Sequence, residues 1–323
     1  MSLPATAFLG LGALGAPMAA RLLAAGVPLT VHNRTAGPER PLLADGAKAA
    51  ADPAEAVAGA EFICLCLSDD AAVRAVLAAA TPALCPGALV IDFSTIAPAT
   101  SVAVAAELAE RGCRYLDAPV TGGTEGARNG SLAILVGGRE DDLARARPLL
   151  ELLGNRISHF GPVGRGQQVK ALNQVLVAGS YAALAEAMAL GERLGLPLEQ
   201  VCEVLRHGAA GSWALEHRSE AMRRDHYPLG FRLALHRKDL AIALGTAESV
   251  GLDLPISRLV AAMEDALIDA GQGDQDVSVL RRWFNPAPGD PPVNHGRDSD
   301  CGPQVSPVPG NPPPDPVQIP PTG

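Results

Sequence analysis

Through the first half of the chain, short apolar runs alternate with longer alanine-rich stretches. The runs Thr6 to Gly10, Leu29 to His32, Phe62 to Leu67 and Leu89 to Phe93 are strand-length and nearly continuously apolar. That pattern predicts strands buried on both faces of a parallel sheet. Between them, the segments near 16–25, 70–80 and 98–111 carry a helical pattern. Strands alternating with helices predict an α/β fold with a doubly wound sheet. Further strands are expected at Arg114 to Leu116, Leu132 to Val136 and Ile157 to His159.

After Gly166 the pattern changes. Val169 to Leu194 is one long alanine-rich stretch without proline, closed by the stop signals Gly195 and Pro197. It predicts a helix of roughly 40 Å, long enough to link two domains. Helical patterns continue near 198–207, 212–223, 230–250 and 255–270, with no strand signal between them. The expected organisation is a dinucleotide-binding domain over 1–165 and an all-helical domain for substrate binding and oligomerisation over 166–284. A tail over 285–323, dense in proline and glycine, has too little apolar surface to offset its ordering entropy and is expected to be disordered.

The bulk numbers narrow the function. A chain of 323 residues with 48% hydrophobic content can bury two cores. A net charge of -9 disfavours nucleic acid as a partner. The N-terminal apolar run lacks a basic flank and is shorter than the roughly 18 to 20 residues of a membrane helix, so neither a signal peptide nor a membrane span is expected. Six scattered cysteines form neither a disulfide framework nor a zinc-ligand pattern. They point to a reducing cytoplasm and no metal.

The first chemical signal is Gly10-Leu11-Gly12-Ala13-Leu14-Gly15, after a predicted strand and before a predicted helix. Gly10 permits the tight turn, Gly12 lets the backbone approach a pyrophosphate, and Gly15 lets helix and strand pack closely. The helix N-terminus then offers unpaired N–H groups and the positive end of its dipole. Where NAD binders place an acid at the end of the second strand, this chain has His32-Asn33-Arg34-Thr35. A guanidinium and a hydroxyl suit a 2′-phosphate, which favours NADP (NADPH) over NAD. The alternative is that Arg34 is an ordinary solvated loop residue.

The second signal lies on the long helix, where Lys170, Asn173 and Gln174 fall at i, i+3 and i+4 and share a face. A lysine there can supply a proton; equally, it can be a helix-start lysine with its head in water. Two further segments sit at the carboxyl edge of the sheet, where open α/β sheets bind ligands. In Asp117-Ala118-Pro119-Val120-Thr121-Gly122-Gly123, the Thr121 hydroxyl and the N–H groups of Gly122 and Gly123 can hold a carboxylate. In Asp92-Phe93-Ser94-Thr95, the Thr95 hydroxyl can meet a nicotinamide or ribose. Turn punctuation and a helix cap at Ser94 or Thr95 are the plainer readings.

Together these segments resemble the β-hydroxyacid dehydrogenase family, which includes 3-hydroxyisobutyrate dehydrogenase, tartronate semialdehyde reductase and the glyoxylate/succinic semialdehyde reductases. The resemblance runs from about Thr6 to Trp283. It is carried by Phe8 to Ala19, by Asp117 to Gly123, by Gly164-Arg165-Gly166 leading into Lys170 and Asn173, and by Phe231 with Lys238-Asp239-Leu240. It implies a Rossmann domain, a long interdomain helix and a helical domain that builds a homodimer or homotetramer. It further implies that Lys170 is the general acid/base, that Thr121, Gly122 and Gly123 bind the substrate carboxylate, and that Asn173 orients the substrate. Phe231 then walls the pocket, Lys238 sits near the cofactor and Asp239 helps to position Lys170. Gln174 departs from the family, which usually has a second asparagine there. The competing reading is a non-catalytic NADPH-binding sensor or scaffold that keeps the fold and acts through its surface or tail.

Overall fold

The computed structural model describes residues 4–286; the expected disorder of the tail lies outside them, except for its first two residues. Six parallel strands form the central sheet: β1 (Thr6–Leu9), β2 (Leu29–His32), β3 (Lys48–Ala49), β4 (Phe62–Leu65), β5 (Leu89–Asp92) and β6 (Arg114–Asp117). Their spatial order is β3-β2-β1-β4-β5-β6. The order reverses between β1 and β4, and the carboxyl ends of these two strands frame the crevice where doubly wound folds bind ligands.

Alternation along the strands builds two cores. Phe8, Phe62, Cys64, Leu89 and Ile91 face one side, with Met18 and Leu22 of α1 (Gly15–Ala24) and Leu143 and Leu149 of α7 (Glu140–Leu150). Ala7, Leu9, Ile63, Leu65 and Val90 face the other. There they meet α3 (Pro53–Val57), α4 (Asp70–Ala80) and α5 (Pro98–Ala109). The period of two is what a strand buried on both faces requires.

Helix α7 is among the elements that went unanticipated, and three others carry only weak sequence signals: β3, α2 (Arg40–Ala44) and α3. Each of the three has five residues or fewer, and β3 is an exposed two-residue edge that exists only by pairing with β2. The later strands also depart from a single sheet. β7 (Val120–Thr121), β8 (Leu132–Val136) and β9 (Gly154–His159) form a separate three-stranded sheet, with α6 (Gly123–Asn129) between β7 and β8.

The long helix, α8, runs from Arg165 to Arg193, starting four residues before its sequence signal. It packs on β8 and on the helices that follow it: α9 (Leu198–Leu205), α10 (Trp213–Arg223), α11 (Leu233–Glu248), α12 (Pro255–Leu267) and α13 (Arg281–Phe284). Their shared core is built from Ala178, Tyr181, Leu184, Met188, Met222, Leu233, Leu240 and Leu280. The segment from 230 is not helical throughout: Phe231 and Arg232 precede α11, and Arg232 bridges to Asp276.

Candidate active site

The glycine loop is shaped from within. A side-chain carbon on Gly10, whose φ is +99°, would lie 2.3 Å from the Cys66 carbonyl oxygen, and one on Gly15 would lie 2.0 Å from that of Gly10. On Gly12 it would meet nothing within 4 Å, so packing inside the chain does not demand that glycine. A ligand approaching the backbone does. Among the described residues, the N–H groups of Gly12, Ala13 and Leu14 have no hydrogen-bond acceptor, and α1 has no side-chain cap. These amides, at a helix N-terminus, fit a pyrophosphate.

Leu11 and Asn33 have a structural use. The Leu11 N–H donates to Asn33 Oδ1 at 2.9 Å, and Asn33 Nδ2 donates to the Thr35 carbonyl at 2.7 Å. Asn33 therefore ties the glycine loop to the end of β2. Arg34 and Thr35, by contrast, are exposed, and Arg34 has no acid or hydrogen-bond partner among the described residues.

Lys170 is 7% exposed and its ammonium donates to the Val120 carbonyl at 2.9 Å. That carbonyl directly precedes Thr121, Gly122 and Gly123. Gly122 and Gly123 have φ of 127° and 64°, which side-chain-bearing residues rarely adopt, and the chain curls there into α6. Burial pushes the Lys170 ammonium below the usual lysine range; the Asp239 charge opposes this, and the Lys238 charge adds to it.

Around the lysine runs a polar chain. Asn173 Nδ2 donates to Gln174 Oε1 at 2.7 Å, and Gln174 Nε2 donates to Asp239 Oδ2 at 2.9 Å. The other oxygen of Asp239 lies 2.7 Å from Lys238 Nζ, which also donates to the Thr95 carbonyl at 2.6 Å. Asp239 thus bonds Gln174 and Lys238 directly and reaches Lys170 through its field. Gln174, 1% exposed, is the inner amide, whereas Asn173 is half-buried behind it. Thr95 meets Lys238 with its backbone. Neither Ser94 nor Thr95 caps α5, whose N-cap is Ala97; Ser94 Oγ instead accepts from the Leu67 N–H at 2.9 Å. Phe231 packs against the helical core and meets His236 edge-on at 5.6 Å.

Two supporting residues received no sequence-based role. Asp117 accepts from the N–H groups of Gly164 and Gln167 at 2.8 and 2.9 Å, capping α8 and setting the height of Lys170. Gln167 then donates to the Ser94 carbonyl at 2.8 Å and accepts from the Ile96 N–H at 3.2 Å, bracing the Thr95 loop. The sequence signal for Asp117 was its place in the Asp-Ala-Pro segment; its partners lie too far along the chain to infer.

Residues 5–161 match the family described as the NAD binding domain of 6-phosphogluconate dehydrogenase. Residues 164–284 match the one described as NAD-binding of NADP-dependent 3-hydroxyisobutyrate dehydrogenase. The chain belongs to the β-hydroxyacid dehydrogenase family. One relative in that family is the NAD-dependent L-serine dehydrogenase of Pseudomonas aeruginosa, 38% identical over 88% of this chain and 98% of its own. The 3-hydroxyisobutyrate dehydrogenase of the same organism is also 38% identical, over 86% of this chain and 97% of its own. A solved structure of Mycobacterium tuberculosis 3-hydroxyisobutyrate dehydrogenase with L-serine is 33% identical, with a TM-score of 0.78, covering 88% of this chain and 99% of that one. The chain is a nicotinamide-dependent β-hydroxyacid dehydrogenase, and the comparisons lend no support to a non-catalytic sensor or scaffold.

Proposed function

We propose that this enzyme interconverts a small 3-hydroxy or 2-hydroxy carboxylic acid and its aldehyde or keto acid, with NADPH as the preferred cofactor. The observation that carries the reading is the buried Lys170 ammonium, held on the carbonyl that leads into Thr121, Gly122 and Gly123. When bound, the cofactor supplies the hydride for reduction and accepts it in oxidation. Lys170 Nζ gives its proton to the developing alkoxide, and in its neutral form takes a proton from the hydroxyl. The Thr121 hydroxyl and the two glycine N–H groups hold the substrate carboxylate. Gln174 and Asn173 orient the carbon that reacts, and Phe231 walls the pocket.

The preference for NADPH rests on Arg34 and Thr35, exposed at the end of β2 with no acidic residue among Asn33, Arg34 and Thr35. The NAD-dependent relative shows that the family supports the other choice as well. A second copy of the chain covers the outward stripe of α8 and its C-cap, where Leu172, Leu176, Leu190 and, at the cap, Leu194 stand exposed. The cysteine pattern supports a cytoplasmic location.

The test is NADPH oxidation followed optically against glyoxylate, succinic semialdehyde, tartronate semialdehyde and methylmalonate semialdehyde. The reverse reaction is followed with serine-like 3-hydroxy acids, and NADH and Lys170→Ala are run in parallel. A lysine-dependent rate with one compound identifies the substrate. Tight NADPH binding without turnover on the whole panel removes this reading.

A further inference from the structure

Helix α6 starts on Gly123, and Glu125 turns its carboxylate back onto that start: a side-chain carbon on Gly123 would lie 3.0 Å from Glu125 Oε2. A negative charge therefore stands beside the loop read above as the carboxylate clamp, and its sign repels a substrate carboxylate. Arg218 of α10 answers it from the helical domain, donating from Nη2 to Glu125 Oε1 at 2.8 Å. Arg218 is 8% exposed and fixed on its other sides. Its Nε lies 3.5 Å from Asp276 Oδ1, its Nη1 donates to the His217 carbonyl at 3.1 Å, and its guanidinium lies 4.7 Å over the Trp213 ring.

Asp276 extends the linkage. Fully buried, it accepts from the N–H groups of Gly230 and Phe231 at 2.9 and 2.8 Å. One carboxylate thus fixes both Arg218 and the segment leading into α11, which carries Lys238 and Asp239. Burial works against the Glu125 anion, yet its own backbone N–H and Arg218 together hold its carboxyl below the usual range. Arg218 is the cation that pairs with this partly exposed carboxylate.

We propose that Arg218 is a positioning and specificity residue of this enzyme: by pairing with Glu125 it cancels the charge beside Thr121, Gly122 and Gly123 and fixes that loop against the helical domain, admitting a substrate carboxylate. The inference rests on the clamp reading of those three residues.

Full-length wild type, Arg218→Met and Arg218→Met with Glu125→Gln are compared on the substrate chosen by the panel and on its methyl ester, which lacks the charge. Arg218→Met is expected to raise KM for the acid by ~10- to 100-fold, with kcat little changed, because it leaves a carboxylate unpaired. KM for the ester stays near that of wild type. Adding Glu125→Gln recovers most of the loss, which a merely structural arginine would not allow, since deleting its partner restores no packing. A double variant as impaired as Arg218→Met, or an equal loss on acid and ester, overturns the proposal. Where Arg218→Met does not fold, Arg218→Lys keeps the charge: an acid KM within about 5-fold of wild type is expected, and a rise of about 100-fold overturns the pairing. If wild type uses the ester as well as the acid, the clamp reading itself fails, and that is known before any variant is made.

Discussion

Gln174 and Asp239 share a buried hydrogen bond of 2.9 Å that joins the long helix α8 to α11. The same carboxylate holds Lys238, and through it the Thr95 loop, so one pair couples the side chains expected to meet substrate and cofactor. Gln174→Leu removes the donor and leaves Asp239 short of a partner. Steady-state kinetics are expected to show a loss of about 10-fold in kcat/KM with NADPH affinity retained. Wild-type kcat/KM in that variant would disconnect the pair from catalysis.

Lys170 predicts a pH profile. Burial, with a smaller contribution from Lys238 and an opposing one from Asp239, lowers its pKa, so the neutral amine forms at lower pH than in a free lysine. Oxidation of the hydroxy acid needs the neutral amine and rises with pH through that lowered value; reduction needs the ammonium and falls through it. Lys170→Ala should flatten both limbs and cost ~10²- to 10⁴-fold in turnover. The linked effect on stability has a definite sign: between the folded and unfolded lysine pKa values the unfolded chain binds more protons, so stability rises with pH there.

Arg34 decides between the two nicotinamide cofactors in the reading above. A charge-assisted contact to a 2′-phosphate is lost in Arg34→Ala, so NADPH should bind roughly 10- to 100-fold more weakly while NADH is unaffected. Titration of cofactor fluorescence measures both. An equal effect on the two would mean that Arg34 does not read the phosphate.

Asp117 is buried and caps α8 with two hydrogen bonds from positions 47 and 50 residues away. Asp117→Ala leaves both N–H groups unpaired, and denaturant unfolding should show a loss of about 2 kcal/mol. Activity should fall as well, because the start of α8 sets where Lys170 meets Val120.

Leu176 is 74% exposed on the outward stripe of α8. Leu176→Lys should break the contact between copies, lowering the mass seen by light scattering while cofactor binding survives. A monomeric wild type, or a variant that keeps the wild-type mass, would remove this face as the interface.

The amino-acid sequence by itself determined the strands β1, β2, β4 and β5, the glycine loop and the helical face bearing Lys170, Asn173 and Gln174. These depend on local periodicity and on the conformations open to glycine, which a few neighbouring residues express. Ser212 as the cap of α10, accepting from the Leu215 N–H, is equally local and agrees with the predicted start near 212. Tertiary structure alone decided which polar groups meet. The start of α8 at Arg165 depends on Asp117, Gln174 finds Asp239 65 residues away, and Arg218 finds Glu125 93 residues away. The edge strand β3 exists only because β2 lies beside it. A buried polar group must find a partner, but sequence spacing does not say which one; that choice belongs to the packing of the helical domain against the sheet.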